Sequence, residues 1–296
     1  MDLKNKKFIL FDLDGTVTDS GPGIMNAATY VLKHFGIIET DKNMLRRFVG
    51  PPLKDSFRDF YGIAEVDEAV EVFREYYVDK GVYENEIYPH MRELLKELHD
   101  AGKILVISSS KLDAMVIKVL EYFNILEYFD ITVGSTLDES RSEKSEIIEE
   151  SFRLIEKLIN SEEPITEENC TVRKKSISED NYTVRKKSVS EDNCTVRKKS
   201  VSEDNYTVRK EHITEDDSTV TKRLITDDNC IIENKLSLEE IKNMSVMIGD
   251  RVFDVNGARS NGVECIGVTY GYGSREELGD ADQIVDSVDE LIKLFV

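Results

Sequence analysis

Tryptophan is absent from the 296 residues, and cysteine and histidine occur four times each. Three of the cysteines, Cys170, Cys194 and Cys230, fall at one phase of a repeated segment in which Tyr182 and Tyr206 alternate with them. That spacing comes from duplication and not from ligand geometry, so neither a zinc site nor a disulfide framework is expected. A long apolar run is lacking as well. The opening stretch "MDLKNKKFILFDLDG" offers about six apolar residues before acids intervene, too few for a signal peptide's hydrophobic region or a membrane span. A soluble, cytoplasmic protein without a membrane partner is the expectation.

Basic charge is scarce outside the repeat. The chain holds 39 Lys and Arg against 59 Asp and Glu, a net charge of −20. Residues 169–228 carry 13 and 12 of these, which leaves 26 against 47 for the rest. So acidic a remainder excludes nucleic acid as the expected partner. With 40% apolar and 33% charged residues, the chain is long enough for one large or two modest domains with a core.

Continuous apolar runs that end in polar residues recur: "FILFDLDG", "ILVISSSK", "FDITVGS", "SVMIGD" and "CIGVTYG". Unbroken apolarity marks strands buried on both faces, as in a parallel sheet. Between them lie helical patterns. "MRELLKELHDAGK" sets Leu94, Leu95 and Leu98 on one face and stops at Gly102, and "EKSEIIEESFRLIEKLI" has apolar residues three and four apart. This alternation predicts a doubly wound α/β core over 1–17, 87–160 and 236–296. Residues 18–86 break the rhythm with helix-like patterns alone, "IMNAATYVLKHFG" and "AVEVFREYYVDKG". They read as an inserted helical subdomain.

Ligands of open α/β sheets gather at the carboxyl ends of the strands. There, "FDLDGT" puts Asp12 and Asp14 on one strand face with Gly15 free to turn the chain; Ser108, Ser109, Ser110 and Lys111 end a second strand; Lys144 opens a helix; and "MIGDRVFD" supplies Asp250 and Asp254. Each alone has an ordinary explanation as turn, loop or helix cap. Together, in this order, they resemble the motifs of the haloacid dehalogenase-like hydrolases: "DLDGT", "SSSK", Lys144 and "GDRVFD". The stretches "TDSGPGI", "FVGPPL", "VGSTLDESRSEK" and "GVTYGYGSREEL" resemble the phosphoglycolate phosphatase-like branch, often described as 5'-nucleotidase-like. The resemblance spans about residues 6–159 and 236–295. His90 in "YPHM" stands where glycine is expected, a departure that bears only on a helix start.

What the resemblance implies is a Mg²⁺-dependent phosphatase acting on a small phosphorylated metabolite, a nucleoside monophosphate or phosphoglycolate. Asp12 would be the nucleophile and Asp14 the general acid and base. Asp12, Asp14 through its carbonyl, and Asp250 would hold the metal, with Asp254 supporting that shell, while Ser109 and Lys144 would bind the phosphate. Lys111 is expected to face solvent, and Arg46, Arg47 and Lys54 beside "FVGPPL" read as a solvated helix face. A phosphosugar mutase of the same superfamily and a repeat-bearing, non-catalytic binding protein are the alternatives.

The remaining segment, 161–235, contains the 12-residue unit "TVRKKSVSEDNY" repeated five times, with variations, from Asn169 to Asp228. Each unit has too little apolar surface to offset ordering entropy of roughly 1–2 kcal/mol per residue. Stacked units would also align like charges at about 4.8 Å. A disordered or loosely ordered loop without a catalytic role is expected.

Overall fold

The computed structural model describes residues 3–138, 140–160 and 235–295; the repeat lies outside them, and with it the expectation for its conformation. The five apolar runs and one further short strand form a six-stranded parallel sheet in the order β5-β4-β1-β6-β7-β8. Its strands are β1 (Phe8–Phe11), β4 (Ile104–Leu112), β5 (Ile131–Ser135), β6 (Ser245–Gly249), β7 (Glu264–Val268) and β8 (Gln283–Val285). All residues of β1 and β6 are buried, as continuous apolarity requires of central strands covered on both faces. β1 pairs with β4 on one side (Phe11 opposite Ile107) and with β6 on the other (Phe11 opposite Ile248). The chain therefore leaves β1 in both directions, and a crevice opens at the carboxyl ends of β4, β1 and β6.

Helices cover the sheet. α5 (Met91–Asp100) and α6 (Asp113–Tyr122) pack on β4, and α5 also meets the last helix, α10 (Val288–Phe295). A second set consists of α7 (Lys144–Asn160), α8 (Leu238–Asn243) and α9 (Val252–Ser260), with α7 packed on both of the others. α5 buries Leu94, Leu95 and Leu98, the stripe read from the sequence, and the chain turns at Gly102 with φ 73°. No helix of the described residues is long and apolar enough to cross a membrane.

Between β1 and α5 the chain forms α1 (Gly21–His34), α2 (Lys42–Arg46), α3 (Leu53–Tyr61) and α4 (Val66–Asp79). The two ends of this segment are tied by a short antiparallel pair, β2 (Thr18–Asp19) with β3 (Glu86–Ile87). Its interior is aromatic. Phe48 lies 4.9 Å from Phe57, and Phe73 stacks on Tyr77 at 5.4 Å.

His90 precedes α5 with φ 62°, a left-handed backbone that costs a residue with a Cβ about 1 kcal/mol or more. The side chain is exposed and gives up little packing. His90→Gly is therefore expected to raise stability by about 0.5–1 kcal/mol, or a few degrees in Tm; a melting curve that does not rise would show that the imidazole contributes contacts that offset the strain.

Candidate active site

β1 delivers Asp12 directly into the crevice. Its N–H donates to the Ile248 carbonyl at 2.9 Å, continuing the ladder for one residue, and the residue is 7% exposed. The chain then turns: Gly15, at φ 93°, donates its N–H to the Thr18 carbonyl at 2.7 Å. A Cβ on Gly15 would also fall 2.3 Å from Asp250 Oδ2, so both conformation and space require glycine.

β6 ends one residue before Asp250, which is fully buried. The Tyr272 N–H donates to its Oδ2 at 2.7 Å, and the Thr16 hydroxyl to its Oδ1 at 3.4 Å. Burial, reinforced by the charges of Asp254 and Asp12, holds its carboxyl well above the usual range. Asp254, at the start of α9, accepts the Arg251 N–H at 3.0 Å and so caps its own helix.

Lys144, the first residue of α7, is buried among these groups. Its ammonium lies 2.6 Å from Asp12 Oδ1 and 2.7 Å from Asp254 Oδ1, and it donates to the Ser108 carbonyl at 2.9 Å. Burial works against its charge, but the Asp12 and Asp254 carboxylates outweigh that and raise its pKa. For Asp12 the balance runs the other way. Desolvation, aided by Asp254 and Asp14, prevails over Lys144 and pushes the carboxyl up to about 6.

One ammonium thus stands between two of three neighbouring buried carboxylates. Oxygens of Asp12, Asp250 and Asp254 lie within 4.8 Å of one another, and uncompensated buried charge costs several kcal/mol per ion. Lys144, shared between Asp12 and Asp254, offsets one of the three charges and the Arg251 N–H also engages Asp254, so excess negative charge remains on the cluster. Hard oxygen donors with excess negative charge fit a divalent cation. The cluster could hold a metal ion.

Ser109 lies near the carboxyl end of β4, buried at 1% exposure, and its hydroxyl accepts the Lys111 N–H at 3.4 Å. Lys111 departs from expectation. Its side chain is only 7% exposed, and its ammonium lies 2.6 Å from Asp14 Oδ2 and 2.8 Å from the Tyr77 hydroxyl. The register of β4 shifts between Ser108 and Leu112, so regular alternation does not set the direction of this side chain. Arg46 is exposed, as the solvated reading has it, and it also donates to the Gly271 carbonyl at 2.9 Å and lies over the Tyr272 ring. Lys54, by contrast, pairs with the exposed Asp67.

Thr16, Gly271, Tyr272 and Tyr77 escaped the sequence reading. The signal for two of them was the glycine-rich "YGYG" after β7. A Cβ on Gly271 would stand 2.3 Å from the Gly15 carbonyl, so that loop is pressed onto the Asp250 side of the site. Tyr77 gave no signal, since an aromatic residue on an amphipathic helix reads as core.

Residues 9–163 match the haloacid dehalogenase-like hydrolase family, and residues 231–291 match a second, HAD-hydrolase-like family. A 5'-nucleotidase of Pseudomonas aeruginosa is 30% identical over 272 residues, covering 91% of this chain and 86% of that protein. A phosphoglycolate phosphatase of Aquifex aeolicus is 35% identical over 136 residues, 43% of this chain and 60% of its own length. Among solved structures, a predicted phosphatase from Clostridium acetobutylicum is similar at a TM-score of 0.66 and 31% identity, with 97% of each chain covered. The chain belongs to the haloacid dehalogenase-like hydrolase family and is an enzyme of the phosphatase class.

Proposed function

We propose that the enzyme hydrolyses a small phosphate monoester, a nucleoside monophosphate or phosphoglycolate, through an aspartyl-phosphate on Asp12 with Mg²⁺ as its metal. The observation that carries this reading is the buried Asp12 carboxylate, gripped by Lys144 at 2.6 Å beside Asp250, with Asp14 two residues beyond. The relatives named 5'-nucleotidase and phosphoglycolate phosphatase support the substrate class.

Asp12 attacks phosphorus as the ester P–O bond breaks, and Asp14 gives its proton to the leaving alkoxide. Asp14 then takes a proton from the water that hydrolyses the acyl phosphate. Lys144 and the Ser109 hydroxyl face the oxygens of the transferring group, where fixed donors stabilise developing charge. Asp12, Asp250 and the Asp14 carbonyl would hold Mg²⁺, with Asp254 keeping Lys144 and the shell in place. When bound, the ion offsets the repulsion between carboxylate and phosphate, roughly 4 kcal/mol for unit charges 4 Å apart at an effective dielectric of 20. The helices of residues 18–86 serve as a cap over the core formed by 1–17, 87–160 and 236–296, excluding water and selecting the leaving group. Small phosphorylated metabolites as substrates fit a cytoplasmic enzyme.

The test is a phosphate-release screen over nucleoside monophosphates, 2-phosphoglycolate and sugar phosphates, with Mg²⁺ and with EDTA. Release from one of the first two, lost in EDTA, supports the reading; conversion of a sugar phosphate to its isomer without free phosphate overturns it. Metal binding has its own measurement. Because the folded Asp12 carboxyl sits near 6, above its ordinary 3.8, protons compete with Mg²⁺ below that pH. The Mg²⁺-induced rise in Tm is expected to be full at pH 7.5 and to shrink toward pH 5, as apparent affinity drops by about tenfold per pH unit for each proton displaced. A rise that is independent of pH would remove Asp12 from the ligand set.

A further inference from the structure

Phosphate binding does not account for Lys111 and Tyr77. Lys111 donates to Asp14 Oδ2 at 2.6 Å and to the Tyr77 hydroxyl at 2.8 Å, so a single ammonium joins the end of β1 to helix α4. The other Asp14 oxygen, Oδ1, is buried and has no hydrogen-bond partner among the described residues. One oxygen is held and one is left for chemistry. A lysine side chain with four rotatable bonds does not fix that direction from a single contact; the second anchor is Tyr77. The tyrosine ring is 5% exposed, stacks on Phe73 at 5.4 Å with 18° between planes, and lies 4.8 Å from the ammonium. The backbone closes behind it, since a Cβ on Gly81 would stand 2.7 Å from Tyr77 Cδ2.

We propose that Tyr77 is a positioning residue that acts through Lys111 to fix the direction of the Asp14 carboxyl group, so that proton delivery to the leaving alcohol depends on Tyr77 of α4 staying bonded to Lys111 at the end of β4. The inference rests on the reading of Asp14 as the general acid. As the Asp12–phosphorus bond forms and the ester P–O bond breaks, the alkoxide takes the proton from Asp14 Oδ1 and Asp14 is left as the carboxylate paired with Lys111. A displacement of α4 that broke the Tyr77 bond would remove one of the two anchors of Lys111. The acid would then be aimed only while the Tyr77–Lys111–Asp14 chain of hydrogen bonds is intact.

Tyr77→Phe removes the hydroxyl and keeps the ring, its stack and its contact with the ammonium. The readout is kcat/KM for two esters: p-nitrophenyl phosphate, whose leaving group departs without a proton, and whichever of a nucleoside 5'-monophosphate or 2-phosphoglycolate the enzyme turns over. This ratio reports steps only up to loss of the alcohol, so hydrolysis of the acyl phosphate does not blur it. The alkyl ester is expected to lose about tenfold, as small misplacements of catalytic groups do, and the aryl ester less than twofold. The Mg²⁺-induced rise in Tm should match that of the wild type. Equal losses on both esters, no loss on either, or a lost Mg²⁺ response would overturn the proposal. A wild-type enzyme that releases phosphate from neither ester fails earlier, at the phosphatase reading, and takes this inference with it.

Discussion

Asp12→Asn is expected to abolish phosphate release while the chain stays folded. The amide keeps the volume and shape of the carboxylate, and the backbone N–H still bonds the Ile248 carbonyl, so β1 and its neighbours have no reason to move. What goes is the anionic oxygen that attacks phosphorus. Lys144 keeps Asp254 at 2.7 Å and the Ser108 carbonyl at 2.9 Å, so it is not stranded. The sign of the stability change follows from the Asp12 pKa. A carboxyl raised from 3.8 to about 6 on folding weakens the fold as pH climbs through that window, and the penalty is complete above it. Removing the charge should therefore leave the metal-free protein at pH 7.5 melting no lower than the wild type. The check is phosphate release alongside a melting curve in EDTA: a variant that retains a tenth of wild-type turnover ends the nucleophile assignment, and one that unfolds makes Asp12 a structural residue.

Much of this frame was legible because burial on two faces writes itself as unbroken apolarity. The strands "FILF" and "SVMIG" needed no tertiary information, nor did the carboxylates at their ends, since a polar residue after a buried strand has only the crevice to enter. β8 was not legible. Three residues, one of them Gln283, form too short a run to stand out from a loop. The strand order also stayed hidden, because it depends on which face each crossover takes. Lys144 was singled out by family resemblance. Its helical period says only that a lysine begins α7, and its burial follows from α9 packing so closely that a Cβ on Gly257 would stand 2.7 Å from Lys144 Cγ.

Lys111 shows the limit most clearly. Alternation along β4 cannot predict its direction, since the register shift between Ser108 and Leu112 breaks the two-residue period at the strand end. The contact of Tyr272 with Asp250 was hidden for another reason. Tyr272 engages Asp250 with its backbone N–H, a group that every residue but proline has, and its hydroxyl bonds Asp19 Oδ1 and accepts the Gly21 N–H. No side-chain pattern encodes such a contact.

Lys144→Ala should cost about 10² or more in kcat, the loss typical when a preorganised charge is removed from a reacting centre. It should also cost stability, unlike Asp12→Asn, because Asp12 and Asp254 would lose the ammonium that stands between them; breaking a buried pair in this way typically costs about 3–5 kcal/mol. The pH dependence follows from the raised pKa of Lys144. Its contribution is present in full below the ordinary lysine value of 10.5 and fades only as pH rises through the higher folded value, so across pH 6–9 the deficit of the variant should not shrink through this group. Mg²⁺ should restore part of the lost Tm, since it neutralises the same carboxylates, but not the turnover. Lys144→Arg should fare little better, because the buried ammonium is already enclosed by Asp12, Asp254 and the Ser108 carbonyl at 2.6–2.9 Å, and a longer planar guanidinium cannot reproduce that position. Lys111→Ala separates the two lysines. Its loss should fall on alkyl esters, through a misdirected Asp14, whereas loss of Lys144 should fall on alkyl and aryl phosphates alike because both transfer the same phosphoryl group. If Lys144→Ala spares p-nitrophenyl phosphate while Lys111→Ala cripples it, the two ammonium groups have been assigned to the wrong ends of the reaction.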